Sequence, residues 1–154
     1  MKRVGLLATT MGVLVSMGLL IAGQGYADEN DRATKCTLDT LKGRYLFAGT
    51  GTLLPPAFGV KEPSVSTSAG YHIFNGDGTG TTISTESING VITNADSHRD
   101  LSYTVNADCT GTVKVLGIGA TQEIFVAPNG DDMTVIATGT GHVEAFSSWR
   151  VGAE

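Results

Sequence analysis

The chain has 154 residues, of which 15 are acidic and 10 basic, and its formal net charge is −5 at pH 7. Its Lys and Arg residues are scattered through an acidic sequence, so nucleic acid and anionic lipid surfaces are disfavoured as partners. The length favours a single domain with a hydrophobic core of its own.

The N-terminal residues have the pattern of a secretory signal peptide. Lys2 and Arg3 precede an apolar run over residues 6–21, and Gly25 and Ala27 place small residues at the −3 and −1 positions of a cleavage site. This pattern predicts a cleaved signal over residues 1–27 and a secreted or periplasmic domain over residues 28–154. Removing the two basic residues takes the net charge from −5 to −7. The alternative is an uncleaved membrane anchor, because the apolar run approaches spanning length.

The predicted mature domain begins with one short helical element and continues as strands. Thr37 is a suitable cap, and Gly43 a suitable terminator, for a helical turn over residues 37–42. Beyond it, short runs rich in Val, Ile, Thr, Tyr and Phe lie between Gly and Asn turns, which is typical of an all-β domain. The apolar connection over residues 50–63 is expected to plug one end of the structure or to cover a pocket. The predicted strands are 44–49, 64–74, 79–88, 91–94, 101–105, 112–118, 121–127, 133–139 and 143–151.

Three Asn-Gly pairs, at residues 75–76, 89–90 and 129–130, mark hairpins in this series. Asn-Gly favours the type I′ turn, which needs positive φ at both central residues. Strands joined in sequence by hairpins form an antiparallel meander. About eight such strands close most economically into a barrel, because closure leaves no unpaired edge. A two-sheet sandwich is the alternative.

Only two cysteines are present, Cys36 and Cys109. In an exported chain they predict one disulfide. Closing a loop of this length stabilises a fold by roughly 4 kcal/mol in the chain-entropy model.

Alternation along the strands suggests which side chains face inward. In residues 64–74 we expect Tyr71 and Ile73 inside and His72 on the polar face, and in residues 143–151 we expect Trp149 inside. The residues predicted to line a ligand cavity, or to form the core, are Tyr45, Phe47, Tyr71, Ile73, Tyr103, Val105, Phe125 and Trp149.

The segment from Asn75 to Glu86 has the ligand spacing of an EF-hand calcium loop, with Asn75, Asp77, Thr79 and Glu86 at positions 1, 3, 5 and 12. An EF-hand loop needs flanking helices, whereas both flanks here have strand composition. The sequence therefore favours a plain Gly-rich hairpin, and no metal or other cofactor is predicted.

Candidate catalytic residues are few. His72, His98 and His142 are each expected to be solvated surface residues, and no two of them share a metal-ligand spacing. No nucleophile motif of the Gly-x-Ser-x-Gly type is present. Glu123 and Glu144 lie within predicted strands and could direct carboxylates into a barrel.

Three motifs resemble a family of small exported bacterial proteins that has no established activity. Its members carry a Phe-Asp-Gly-x-Gly hairpin and a Tyr-x-Val-x-x-Asp-Cys-Thr-Gly turn. The matching stretches here are Cys36-x4-Leu41-x-Gly43-x-Tyr45, Phe74-Asn75-Gly76-Asp77-Gly78 and Tyr103-x-Val105-x2-Asp108-Cys109-Thr110-Gly111, and Asn75 departs from the family's Asp. Size and strand count are also similar to those of allene oxide cyclase-like and lipocalin-like barrels.

Two functions follow as hypotheses. The first is a non-enzymatic exported barrel that binds a small apolar ligand or has a structural or interaction role in the cell envelope. The second is a cofactor-free isomerase or cyclase that uses barrel shape and an inward carboxylate, Glu123 or Glu144. A barrel filled with side chains would favour the structural role over both binding and catalysis.

Overall fold

The computed structural model of the chain describes residues 35–152, and all of them belong to one compact unit. The predicted signal peptide, residues 1–27, lies outside the described residues, so that assignment stays a prediction. Within residues 35–152 no helix has both the length and the apolar character needed to span a bilayer.

Eight antiparallel strands form a closed barrel in sequence order, and the last strand pairs with the first. This confirms the predicted all-β meander and its closure. The strands are β1 Lys42–Leu53, β2 Ser64–Asn75, β3 Thr79–Ile88, β4 Val91–Val105, β5 Thr110–Val115, β6 Ala120–Val126, β7 Asp132–Ala137 and β8 His142–Arg150.

Nine strands were predicted because residues 95–100 are polar and have the composition of a loop. In the structure they continue β4, since Ser97, His98 and Arg99 pair with Ser84, Ile83 and Thr82 of β3. The predicted strands 91–94 and 101–105 are therefore one strand of 15 residues.

Except for the longer β1–β2 connection, which contains a 3₁₀ helix, Ala57–Gly59, hairpin turns join the strands alternately at the two ends of the barrel. Asn89 and Gly90 both have positive φ, 50° and 82°, as a type I′ turn requires. In each of the other two Asn-Gly pairs the glycine, Gly76 or Gly130, has positive φ but the asparagine does not. These two turns are therefore not of type I′.

One end of the barrel is closed by residues 36–41, which we call the N-terminal strap. The predicted helical turn is present there as a short 3₁₀ helix, Leu38–Leu41. Leu41 is fully buried, and the predicted disulfide joins Cys36 to Cys109 in the β4–β5 turn. The strap therefore shields the apolar interior at this end.

Two buried tyrosines hold the strap from inside. The Tyr103 hydroxyl donates to the Leu38 carbonyl oxygen (3.0 Å) and accepts from the backbone N–H of Gly76 (2.9 Å). The Tyr45 hydroxyl donates to the carbonyl oxygen of Gly130 and accepts from Arg150 Nη2 (2.8 Å). The same Arg150 nitrogen donates to the Thr40 carbonyl oxygen of the strap (2.8 Å), so Tyr45 holds the strap through Arg150. Burial raises the pKa of both phenols, so their hydroxyls stay protonated as donors.

The hydrophobic core fills only the half of the barrel next to the strap. It includes Tyr45, Phe74 and Tyr103, whose rings meet edge to face with Phe74 in the middle. The remaining core residues come from the strap and from all strands except β2 and β3: Leu41, Phe47, Leu101, Val113, Ile124, Val126, Met133, Val135 and Phe146. The other half of the barrel is lined differently.

Candidate functional site

Above the core, the barrel interior contains a cavity of about 400 Å³. Its apolar lining includes Phe47 and Phe146, which also belong to the core. Most of its other lining is polar and comes from β2, β3, β4, β6 and β8. The cavity lies at the barrel end opposite the strap, and its volume is in the range of small-molecule sites.

His72 and Gln122 form the first polar layer above the core. Each lines the cavity, while the next inward-facing residues on their strands, Phe74 and Ile124, belong to the core. The His72 ring stacks on Phe47 with ring centroids 4.5 Å apart and planes 11° apart. Among the described residues, no hydrogen-bond partner is found for either ring nitrogen of His72 or for Gln122 Oε1.

Complete burial governs the chemistry of His72. Removal from water disfavours the charged imidazolium and lowers the pKa of His72 to about 4. The ring is therefore neutral at pH 7, with one nitrogen as donor and the other as acceptor.

His142 and Glu144 form a pair on the wall contributed by β8. His142 Nε2 lies 2.8 Å from Glu144 Oε2, and both side chains are about nine-tenths buried. Ser68 adds a long contact of 3.5 Å from its hydroxyl to Glu144 Oε1. Gly49 on the adjacent β1 makes room for this carboxylate, because a Cβ there would lie 2.1 Å from Glu144 Oε1.

A second polar group spans β2, β3 and β4 on the facing wall. Glu86 accepts hydrogen bonds from the Ser66 hydroxyl (3.2 Å) and from Asn94 Nδ2 (3.1 Å). Arg99 extends the group through a 3.4 Å contact to Asn94 Oδ1. Strand β4 has irregular register beside Glu86, which is how bulged strands redirect side chains near a site.

The long β1–β2 connection reaches over the cavity, as the sequence predicted. Ala57 is buried, and Phe58 lines the cavity and meets the edge of the His142 ring at 5.3 Å. Ile118, from the β5–β6 turn, lines the same end. The mouth thus has apolar side chains above a polar wall.

Four of the residues predicted to face inward do so, and one of them lines the cavity. Tyr45 and Tyr103 are buried in the core, and Val105 packs partly buried against it. Phe47 belongs both to the core and to the cavity lining.

The other four were wrongly placed inside. Phe125 and Trp149 are 52% and 44% exposed, and Tyr71 and Ile73 are half-buried on the outer face of β2. Arg44 lies over the Tyr71 ring, 4.7 Å from its centroid. The alternation was read correctly, but its apolar side faces outward because the polar side lines the cavity.

The same inversion corrects the reading of the histidines. His72 was expected on a solvated surface and is 3% exposed, and His142 lines the cavity. His98 lies exposed on β4, as expected. Of the two candidate carboxylates, Glu144 points inward and Glu123 is exposed.

The calcium-loop spacing does not bring its four residues together. Asp77 accepts from the backbone N–H and hydroxyl of Thr79 (2.9 and 2.6 Å), and Asn75 Nδ2 donates to that hydroxyl (2.9 Å). These are the contacts of a hairpin tip. Glu86 lies farther along β3 and bonds inside the barrel. Across residues 35–152, no group of three or more His, Cys, Asp and Glu residues could hold a metal.

Sequence reasoning missed Arg99, Asn94, Gln122 and the inward Ser66 and Ser68. The sequence did contain a sign of the inward polar face of β2, because polar side chains recur at every second position over most of residues 64–74, between the more apolar ones. A polar stripe on a strand reads as a solvated face unless the barrel interior is known to be wet.

Comparisons of the chain with protein families, with curated proteins and with solved structures found no match.

Proposed function

We propose that the protein is an exported, non-enzymatic β-barrel that holds one small molecule with a largely apolar body in its interior cavity. The observation that carries the proposal is the cavity of about 400 Å³ above a filled core. Eight-stranded barrels either fill with side chains or hold one small ligand. A space of this size above a closed floor supports ligand binding over a purely structural role.

The cavity lining supports a ligand with an apolar body that also carries a polar group. Phe47 and Phe146 offer ring surfaces, and Phe58 covers the mouth. Polar groups arranged around an apolar body orient a ligand in most small-molecule sites. The disulfide and the N-terminal pattern of residues 1–27 support a secreted or periplasmic location.

Binding is tested with N-phenyl-1-naphthylamine, an uncharged dye that fluoresces in apolar sites. We expect one molecule to bind per barrel. Ala120→Phe adds a ring to the cavity lining and should weaken binding at least tenfold. Ala48→Phe, on the exposed face of β1, is the matched control and should bind as the natural chain does. Equal binding by both variants would contradict an interior site.

Native mass spectrometry of protein purified from its own host gives an independent test. A bound mass that survives buffer exchange, and that is absent from Ala120→Phe, would identify the natural ligand class. An empty protein that also fails to bind the dye would refute the proposal and leave a structural or interaction role in the envelope.

A second candidate function is a cofactor-free isomerase or cyclase of the allene oxide cyclase-like type. The observation that favours it is the buried His142–Glu144 pair, with nitrogen and oxygen 2.8 Å apart at the cavity wall. A positioned carboxylate and imidazole can move a proton between two sites of one substrate without a cofactor.

Chromatography of the extracted ligand separates the two candidates. Glu144→Gln keeps the shape of the side chain and removes its ability to accept a proton. A binding protein would yield the same compound from the natural chain and from Glu144→Gln. An isomerase would yield two isomers of the same mass with different retention, the substrate accumulating in the variant.

A further inference from the structure

We infer that His72 and Gln122 form a recognition site for an uncharged hydroxyl group on the ligand, at the floor of the cavity. The inference rests on the proposed ligand-binding function and specifies the chemistry of the ligand: an apolar, aromatic-sized body with a neutral group that both donates and accepts a hydrogen bond. Phenols and alcohols on a ring system belong to this class.

The argument begins with burial. His72 is 3% exposed and Gln122 is 8% exposed, yet among the described residues both His72 nitrogens and Gln122 Oε1 have no hydrogen-bond partner. Leaving a buried polar atom unpaired costs about 1–3 kcal/mol of stability. Buried polar atoms without a partner in the chain are therefore expected to pair with a bound molecule or with ordered water.

Their positions converge on the ligand space. His72 lies on β2 and Gln122 on β6, four strands away in a barrel of eight, so they face the cavity from opposite walls. Both lie directly above the core. A group at the bottom of the cavity can therefore meet one from each side.

The types of atom select the ligand group. Gln122 Oε1 can only accept, so the ligand must donate there. The neutral His72 ring offers one donor and one acceptor, and it stays neutral because burial lowers its pKa to about 4. A hydroxyl can bond to both residues, because it donates its one proton to Gln122 Oε1 and accepts from the N–H of the His72 ring. A carboxylate cannot, because it has no proton to donate to Gln122 and meets no imidazolium at His72.

Neighbouring aromatic rings place the apolar body. Phe47 stacks on His72 and lies 5.4 Å, ring centroid to ring centroid, from Phe146. A flat ring bound against this pair would place a substituent hydroxyl beside the imidazole.

Three probes with one ring system test the site: naphthalene, 2-naphthol and 2-naphthoate. The measured quantity is the ratio of naphthol to naphthalene affinity, which cancels the contribution of the shared rings. We expect this ratio to fall about tenfold in His72→Phe and in Gln122→Leu, because each removes one hydrogen bond. The exposed His98→Phe is the matched control and should leave the ratio unchanged. 2-Naphthoate should bind the natural chain at least tenfold more weakly than 2-naphthol.

Nitrogen NMR of the histidine side chains supplies a readout that does not depend on the variants. Adding 2-naphthol should shift the ring nitrogens of His72 and leave those of His98 in place. If naphthalene and naphthol bind but the ratio is the same in all variants, the hydroxyl site is refuted while the cavity function stands, and water pairs with these atoms. If none of the three probes binds, the proposed function fails and this site fails with it.

Discussion

Breaking the Cys36–Cys109 link should destabilise the barrel strongly while leaving its folded structure intact. The double variant Cys36→Ala/Cys109→Ala removes the covalent bond but keeps the other contacts of the strap. Tyr103 still bonds to the Leu38 carbonyl, and Leu41 stays buried. Alanine at position 109 also keeps a side chain at the positive φ of 67° found there, so backbone strain is the same in both proteins.

The magnitude follows from the loop that the bond closes. The two cysteines are 73 residues apart. In the chain-entropy model a crosslink over such a loop removes about 15 cal/mol/K from the unfolded chain, which is about 4 kcal/mol at 25 °C. Because the folded contacts remain, we expect nearly all of this loss to come from the greater freedom of the unfolded state.

Urea unfolding measures the loss directly. The natural chain, the natural chain with reductant and the double variant are compared at pH 7. We expect the second and third to agree with each other and to lie about 4 kcal/mol below the first. Their m-values should rise, because an unfolded chain without the crosslink exposes more surface. A loss below about 1 kcal/mol with an unchanged m-value would refute the reasoning.

Two further predictions follow from buried and tightly packed positions. The free energy of unfolding should fall by about 3 kcal/mol as the pH drops from 6.5 to about 4, because the unfolded chain protonates His72 in that window and the folded chain does not. In urea titrations at several pH values, His72→Phe should remove this fall. A His98→Phe variant that removed it equally would contradict the assignment. Gly130→Ala should cost at least 2 kcal/mol more than Gly90→Ala in the same measurement. Both positions have positive φ, but of the two only at Gly130 would a Cβ meet backbone, 2.2 Å from the Thr40 carbonyl oxygen. Equal losses would mean that the strap can shift to admit the extra methyl group at little cost in stability.

Much of the fold could be read from local patterns. Glycine and asparagine turns between short β-branched runs predicted the meander, and two cysteines left a single pairing. The boundaries of β2, β3 and β6 were predicted to within one residue. The polar residues 95–100 were not recognised as strand, because their pairing with β3 is a contact between segments and leaves little trace in composition.

The candidate site was harder to predict from the sequence than the fold was. Strand alternation correctly separated Tyr71 from His72, but it could not say which of the two faces inward. Residues directly opposite each other in an antiparallel pair share a face, and Tyr45 lies opposite both His72 and Arg150. Once Tyr45 is buried, His72 and Arg150 must share its face, and Tyr71 and Trp149 must lie outside.

By itself the sequence determined the order of the strands and, apart from the division of β4 into two, their number. Turn residues, β-propensity and the cysteine count act within short stretches of chain or need no geometry. The register between strands, and with it the side of each strand that faces the interior, was decided only in the tertiary structure. A shift of one residue exchanges the two faces of a strand, and the choice depends on how all eight strands share one interior. That shared interior turned an apparently solvated stripe of Ser and His into the wall of a cavity.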